Sequence, residues 1–226
     1  MFSKHLVRII VPSKVISTNL ANVWPKFADR IVQINPGVLV KEQNKGAKIA
    51  QISTMVTACK LKDAQQFKPL LNAVRHLKIE GQEFMLVVLG DGSSGNKFHQ
   101  LVVSLGLGEI VTITDRPRPW PAMLAEADIF IQARPASKFN PFLLQAMSDG
   151  AAVAACNGGV DDLIIDGQTA LIFDPDDELS IYDTLKRLLD SHEVSQNLSA
   201  TAKQLLKCDY NISNMTNQIL SIYRQC

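Results

Sequence analysis

The sequence lacks both a long apolar run and an excess of charge of one sign. No apolar stretch is long enough to span a bilayer, and no basic segment followed by an apolar one resembles a secretion signal. The 23 basic and 22 acidic residues leave a net charge of +1, so no overall field favours binding to nucleic acid or anionic lipid. We therefore expect a cytoplasmic protein without a nucleic-acid partner.

Cysteine and histidine are scarce, with four of each, and they are widely scattered along the chain. None of them has the spacing of metal ligands, and no nucleophile, base and acid form a recognisable set. The cysteines are expected to be free thiols, as is usual in a reducing compartment. Cysteine and histidine spacing therefore predicts no metal site.

Apolar, strand-like runs alternate with segments of helical periodicity along most of the chain. Strands are predicted at 52–58, 84–89, 110–114, 128–132, 151–155 and 171–173, and a helical region is predicted from Asp177 onwards. Because strands joined by helices form right-handed units with parallel strands, we predict a doubly wound α/β sheet of the Rossmann type. The predicted sheet domain covers 46–226, and a strand, a helix and a linker precede it over 1–45.

A glycine-rich loop follows the strand predicted at 84–89. Gly90, Gly92 and Gly95 match the spacing of a dinucleotide-binding loop, and Asp115 lies 20 residues beyond Gly95. In a dinucleotide fold, however, that loop follows the first strand of the sheet, whereas here a complete strand and helix come first. An NAD(P)-dependent oxidoreductase is therefore one hypothesis, and a loop that only turns the chain is another.

A second predicted site lies at the start of the helix that follows Asn140. Asn140 is a favourable N-cap and Pro141 suits the first helical position, so this helix start should bind an anion through unpaired N–H groups. Arg134 and Lys138 precede it, and Lys60 lies on the loop after the first strand of the sheet. These residues predict a diphosphate site, with ordinary solvated surface cations as the alternative.

Several short motifs follow one another in a distinctive order. They are Ile34-Asn-Pro-Gly-Val38, Gly90-Asp91-Gly92, Ala127-Asp-Ile-Phe130, and the run from Phe139 to Phe173 that contains Gly158-Gly159. In this order they resemble the interdomain turn, the GDG loop, the ADVF strand and the final motif of GT-B glycosyltransferases of family 4, the group 1 type. The resemblance extends over residues 6–190 and is more specific than any single motif.

The resemblance implies a retaining transfer of a sugar from a nucleotide-diphosphate sugar, of the UDP or GDP type, to a polysaccharide or glycoconjugate. No metal or resident cofactor is implied. The residues that it assigns to the sugar donor are Lys60, Gln65, Gly90, Asp91, Gly92, Arg134, Lys138, Phe139, Asn140, Pro141, Phe142 and Leu143.

Several positions depart from the family pattern. The family's diphosphate-binding Lys falls on Gln65, and Lys60 stands in place of its Arg. The family's acidic pair, Glu-x7-Glu, falls on Ser137 and Gln145, whereas Asp162 keeps the acidic position after Gly158-Gly159. An amide makes weaker hydrogen bonds than a carboxylate, so we expect sugar transfer to suffer more than nucleotide binding. A non-catalytic GT-B module that pairs with or regulates an active glycosyltransferase is the alternative.

The resemblance also concerns the extent of the chain. Residues 1–35 resemble the last strand and helix of the family's amino-terminal domain, which binds the acceptor. We therefore expect this chain to be the donor-binding half of a two-domain enzyme, either as a fragment or as a subunit with a partner. An acceptor glycan or glycolipid would be bound by the other half, which allows peripheral association of the full-length protein with the inner face of the membrane.

Overall fold

The computed structural model describes residues 7–40, 52–90, 96–115 and 120–224. Its strands are β1 (Ile9–Val11), β2 (Ile31–Gln33), β3 (Ser53–Cys59), β4 (Phe84–Gly90), β5 (Val111–Asp115), β6 (Ile129–Gln132), β7 (Ala152–Cys156) and β8 (Leu171–Phe173). Its α-helices are α1 (Lys14–Val23), α2 (Lys68–Ile79), α3 (Asn96–Ser104), α4 (Trp120–Ala125), α5 (Pro141–Asp149), α6 (Glu178–Asp190), α7 (His192–Asp209) and α8 (Ile212–Tyr223). Short 3₁₀ helices cover Pro25–Arg30 and Leu61–Phe67.

Six of the strands form one parallel sheet in the order β5-β4-β3-β6-β7-β8. The chain starts this sheet at its centre with β3, builds outward to β5, returns to the centre with β6, and builds outward again to β8. The predicted doubly wound α/β fold is therefore confirmed. In such a sheet the crevice for ligands opens where the winding reverses, at the carboxyl ends of β3 and β6.

Apolar side chains cover both faces of the sheet, because helices pack on each of them. On one face the core contains α2, α3 and α6, and on the other it contains α4, α5 and α7. Every residue of β6 and β7 is buried. The two central strands are also joined by a side chain, since the Thr57 hydroxyl donates to the Ile131 carbonyl at 2.8 Å. The floor of the crevice is consequently built from closely packed, fully paired strands.

The segment before the sheet domain, residues 7–40, stays outside the six-stranded sheet. Within the described part of the chain, β1 and β2 pair only with each other, as a small parallel sheet. Asp162 Oδ2 accepts hydrogen bonds from the Lys14 backbone N–H at 2.7 Å and from Gln33 Nε2 at 3.1 Å. The Val38 N–H donates to the Tyr210 carbonyl at 2.7 Å. The segment therefore packs on the sheet domain without entering the six-stranded sheet.

The turn that ends this segment lies directly against the start of α8. A Cβ atom added at Gly37 would stand 2.6 Å from Ile212 Cα and 2.9 Å from Ile212 N. Both atoms belong to the backbone and cannot move aside as a flexible side chain would. Gly37 is therefore required by the close approach of two backbones.

We expect Gly37→Ala to destabilise the protein by about 1 to 3 kcal/mol, because overpacking against backbone forces a local shift. Amide hydrogen exchange should become faster across α1 and β2 while exchange in β4 changes little, since the clash lies outside the main core. The matched control is Gly108→Ala, where the added methyl group meets nothing within 4 Å. Unchanged exchange in α1 and β2 would contradict this account of the contact.

Candidate functional site

The predicted residues after β3 and β6 meet at the crevice edge of the sheet. Lys60 directly follows β3, is exposed, and precedes the 3₁₀ helix that carries the exposed Gln65. Ala133 and Arg134 directly follow β6, which pairs with β3 along the centre of the sheet. The fold thus brings the sequence-predicted cations Lys60 and Arg134 to neighbouring strand ends.

Helix α5 begins at this edge, as the N-cap pattern predicts. Asn140 Oδ1 accepts a hydrogen bond from the Phe142 N–H at 3.0 Å, and Pro141 occupies the first turn. Asn140 Nδ2 donates to Gln132 Oε1 at 3.0 Å, so the last residue of β6 holds the capping side chain in place. The N-cap assignment of Asn140 is confirmed.

One part of the anion-site prediction is wrong. The N–H groups at the helix start were expected to be unpaired, but the Asn140 N–H donates to Asp161 Oδ1 at 3.0 Å and the Phe142 N–H is capped by Asn140 itself. The cause is the loop after β7, where Gly158 and Gly159 adopt φ of 77° and 115°. The Val160 N–H donates to the Ala136 carbonyl at 3.0 Å, which places Asp161 against the helix start.

Asp161 and Gln132 both hydrogen-bond to Asn140, Asp161 through the backbone N–H and Gln132 through the side-chain amide. Gln132 is only 5% exposed, and Gln132 Nε2 and Asp161 Oδ2 are buried without a hydrogen-bond partner. Burial raises the pKa of the Asp161 carboxyl; the Asn140 N–H and the nearby Gln132 amide act in the opposite direction, and Asp162 adds to the rise. Sequence analysis missed Asp161, although its place beside Gly158-Gly159 was a signal that could have identified it.

Arg134 is paired within the chain. Its Nη1 atom lies 2.7 Å from Asp176 Oδ1 and 3.4 Å from the Pro175 carbonyl, and its side chain is 27% exposed. The thiol of Cys156 at the end of β7 lies within reach of this charge: burial raises the pKa of Cys156 to about 12, Arg134 lowers it and Asp161 raises it. The predicted phosphate ligand Arg134 is thus already bound to a carboxylate.

The two positions of the family's acidic pair differ in their surroundings. Ser137 is exposed in the loop before α5. Gln145 is half-buried within α5, and its Nε2 donates to Asp149 Oδ2 at 2.8 Å and to Ser148 Oγ at 3.2 Å. Because an ionised carboxylate can only accept, the NH₂ group of Gln145 must face Asp149, which leaves the carbonyl Oε1 as the acceptor available to a ligand.

The remaining predicted residues line the same loop and helix. Lys138 is exposed and Phe139 is half-buried against the core. Phe142 packs edge-on against Trp120 with ring centroids 4.9 Å apart, while Leu143 is fully buried, so only its backbone could meet a ligand.

The glycine loop after β4 is described only at its first residue. A Cβ atom at Gly90 would lie 2.5 Å from Leu61 Cδ1, so any larger residue here forces the buried Leu61 side chain to shift. Asp91 and Gly92 lie outside the described residues.

Within 7–40, 52–90, 96–115 and 120–224, no three His, Cys, Asp or Glu side chains form a group that could hold a metal ion.

Comparison with known proteins identifies the family. Residues 52–191 match the family described as "Glycosyl transferases group 1", which is more than half of the chain. The chain belongs to this family.

None of the helices in the described part of the chain combines the length and apolarity needed to cross a bilayer.

Two curated relatives bear transferase names. The chain is 26% identical over 158 residues to the alpha-D-kanosaminyltransferase of Streptomyces kanamyceticus, covering 69% of this chain and 41% of that protein. It is 29% identical over 151 residues to the D-inositol 3-phosphate glycosyltransferase of Corynebacterium diphtheriae, covering 61% of this chain and 35% of that protein. This group 1 glycosyltransferase chain therefore spans well under half the length of these relatives.

Solved structures show the same fold at low identity. A Rickettsia africae glycosyltransferase superposes with a TM-score of 0.83 at 16% identity, covering 99% of this chain and 65% of the other. Anabaena HepE, solved in complex with UDP, superposes with a TM-score of 0.83 at 16% identity, covering 97% of this chain and 64% of the other. These likenesses confirm the GT-B fold.

The pairing of Gln145 with Asp149 leads to a pH-dependent prediction. We expect Gln145→Glu to destabilise the protein by about 1 to 3 kcal/mol at neutral pH, because a hydrogen bond is lost and two carboxylates meet. The neighbouring carboxylate raises the pKa of the introduced Glu in the folded state. The loss of stability is therefore complete above the raised pKa of the folded state. It disappears as the pH falls below the pKa of this Glu in the unfolded chain.

Thermal unfolding of the wild type and the variant between about pH 4 and pH 8 measures this effect. The control combines Gln145→Glu with Asp149→Asn, which reverses the direction of the hydrogen bond and should recover most of the stability. A single variant as stable as the wild type at neutral pH would show that the side chains of residues 145 and 149 do not interact.

Proposed function

We propose that this chain is the donor-binding half of a retaining glycosyltransferase and binds a nucleotide-diphosphate sugar at the carboxyl ends of β3 and β6. The observation that carries the proposal is the position of α5, whose start lies at the point where the winding of the sheet reverses. The positive end of the helix dipole there favours an anion, and Lys138 and Lys60 add positive charge from two neighbouring loops.

The arrangement suits the charge that develops in sugar transfer. When the bond between the sugar and the diphosphate breaks, negative charge accumulates on the leaving phosphate. Groups fixed in advance around that phosphate stabilise the transition state. In this proposal the first turn of α5 and the lysines supply that stabilisation, while the acceptor is bound by the part of the protein that precedes this chain.

A UDP-type donor is the first choice for the nucleotide. Among the proteins of similar fold, Anabaena HepE is solved with UDP and with UDP-glucose, and the pneumococcal transferase GtfA with UDP and GlcNAc. Gln145 lies one turn along α5 from the proposed phosphate position, where its free Oε1 can accept a hydrogen bond from a sugar hydroxyl.

A non-catalytic module that pairs with an active transferase is the second candidate function. It is favoured by the neutral Ser137 and Gln145, and by the engagement of the Gln145 amide with Asp149. An oxidoreductase is disfavoured, because the glycine loop follows β4, the second strand of the sheet in chain order, whereas a dinucleotide loop follows the first.

Nucleotide affinity tests the proposed site. We expect Lys60→Ala and Lys138→Ala each to weaken UDP binding by about five- to thirtyfold, because each charge-assisted contact contributes about 1 to 2 kcal/mol. The measurement is calorimetry with UDP, GDP, ADP and NAD at low and moderate salt. Arg187→Ala removes the same charge from the exposed face of α6 and should have no effect. Binding of NAD alone, or UDP affinity unchanged in both lysine variants, would overturn the assignment.

Sugar transfer separates the two candidate functions. In the full-length protein, Ser137→Glu with Gln145→Glu should raise the transfer rate if the site is a weakened catalyst. Asp149→Asn is added to this variant, because a second carboxylate beside Asp149 would otherwise disturb α5. The measurement is donor hydrolysis and transfer with UDP-sugars, with Asp149→Asn alone as the control. An unchanged rate in a correctly folded variant favours the non-catalytic module.

A further inference from the structure

We propose that Asp161 and Asp176 set the nucleotide affinity of this chain by holding, with their own carboxylates, two of the groups that would otherwise bind the diphosphate. This inference rests on the proposed function. It assigns to both residues a negative effect on binding of the sugar donor, which makes them affinity-determining residues of that site.

The first of these groups is the start of α5. The N–H of the N-cap residue Asn140 donates to Asp161 Oδ1 at 3.0 Å. Carboxylate and phosphate oxygens compete for the same backbone N–H groups, because both accept charge-assisted hydrogen bonds. Asp161 is therefore an internal anion at the positive end of the helix.

The second group is the guanidinium of Arg134. Its Nη1 atom is held by Asp176 Oδ1 at 2.7 Å, and the planar guanidinium binds carboxylate and phosphate with the same geometry. Asp176 is 77% exposed, so its carboxylate can leave without a large change in burial. A diphosphate must displace it to reach Arg134.

The two carboxylates act at the same end of the sheet. Asp161 lies in the loop after β7, and Asp176 binds Arg134, which directly follows β6, the strand that pairs with β7. Asp161 is held in the loop after β7 by the hydrogen bond that its Oδ1 accepts from the Asn140 N–H at 3.0 Å. A bound diphosphate would therefore displace the Asp176 carboxylate, whereas the Asp161 carboxylate would remain close to it.

The experiment measures the affinity of the chain for UDP-glucose, whose diphosphate does not titrate near neutral pH. Asp161→Asn removes the charge that competes with a phosphate, so its neutral amide oxygen holds the Asn140 N–H more weakly, and Asp176→Asn weakens the hold on Arg134 in the same way. We expect each variant to bind about three- to tenfold more tightly at low salt, with a smaller gain at moderate salt for the exposed Asp176. Asp183→Asn removes the same charge from an exposed position on α6 and is the matched control.

Each carboxylate is scored separately. A gain in one variant assigns the effect to that residue, and an unchanged or weaker affinity overturns the inference for it while the proposed function stands. An equal gain in affinity in Asp183→Asn overturns the inference for both Asp161 and Asp176, because the gain would then follow from the net charge of the chain. If neither the wild type nor any variant binds UDP-glucose, both the proposed function and the inference fail.

The unaltered chain provides a second measurement that does not depend on the folding of a variant. Burial raises the pKa of Asp161, and its protonation removes the same negative charge as Asp161→Asn, so UDP-glucose should bind more tightly as the pH is lowered from about 7.5 to about 5. Asp162, Cys156 and Tyr210 are the other titratable groups whose charges are coupled to Asp161. An affinity that falls over this range contradicts the inference.

Discussion

The pairing of β3 with β6 at the centre of the sheet is the constraint on which the candidate site depends. The two strands are adjacent in space but separated in sequence by β4, β5 and three helices. The connections that leave them therefore diverge to opposite sides, and a crevice must open between the two strand ends. Lys60, Arg134 and the start of α5 lie at this crevice because the strand order places them there.

The sequence was sufficient to predict the fold because its signals are local. Apolar runs with helical segments between them identified all six strands of the main sheet, with small shifts such as Ser53–Cys59 for the predicted 52–58. Asn140-Pro141 identified the start of α5 for the same reason, since a cap depends on neighbouring residues only. The 3₁₀ helix at Leu61–Phe67 was not predicted, because its residues carry no comparable pattern.

The polar contacts of the site were harder to predict because they join distant parts of the chain. Asp161 meets Asn140 across 21 residues, and Asp176 meets Arg134 across 42. Neither distance corresponds to a helical or strand repeat, so composition and spacing give no indication of the pairing. The contact between Gln145 and Asp149 is different, because a separation of four residues on a helix is a recognisable local pattern.

Two neighbouring carboxylates hold two different parts of the molecule. Asp161 binds the residue that begins α5, and Asp162 binds the backbone N–H of Lys14 at the first residue of α1 together with the side chain of Gln33. The loop after β7 therefore contacts both the start of α5, where the phosphate is proposed to bind, and the segment that precedes the sheet domain. A shortened protein that begins after residue 45 would leave Asp162 without these partners. The loop that positions α5 would then be held by its contact with Asn140 but no longer by its contacts with Lys14 and Gln33. The boundary between 1–45 and 46–226 divides the sequence into two parts, but the site draws its rigidity from both.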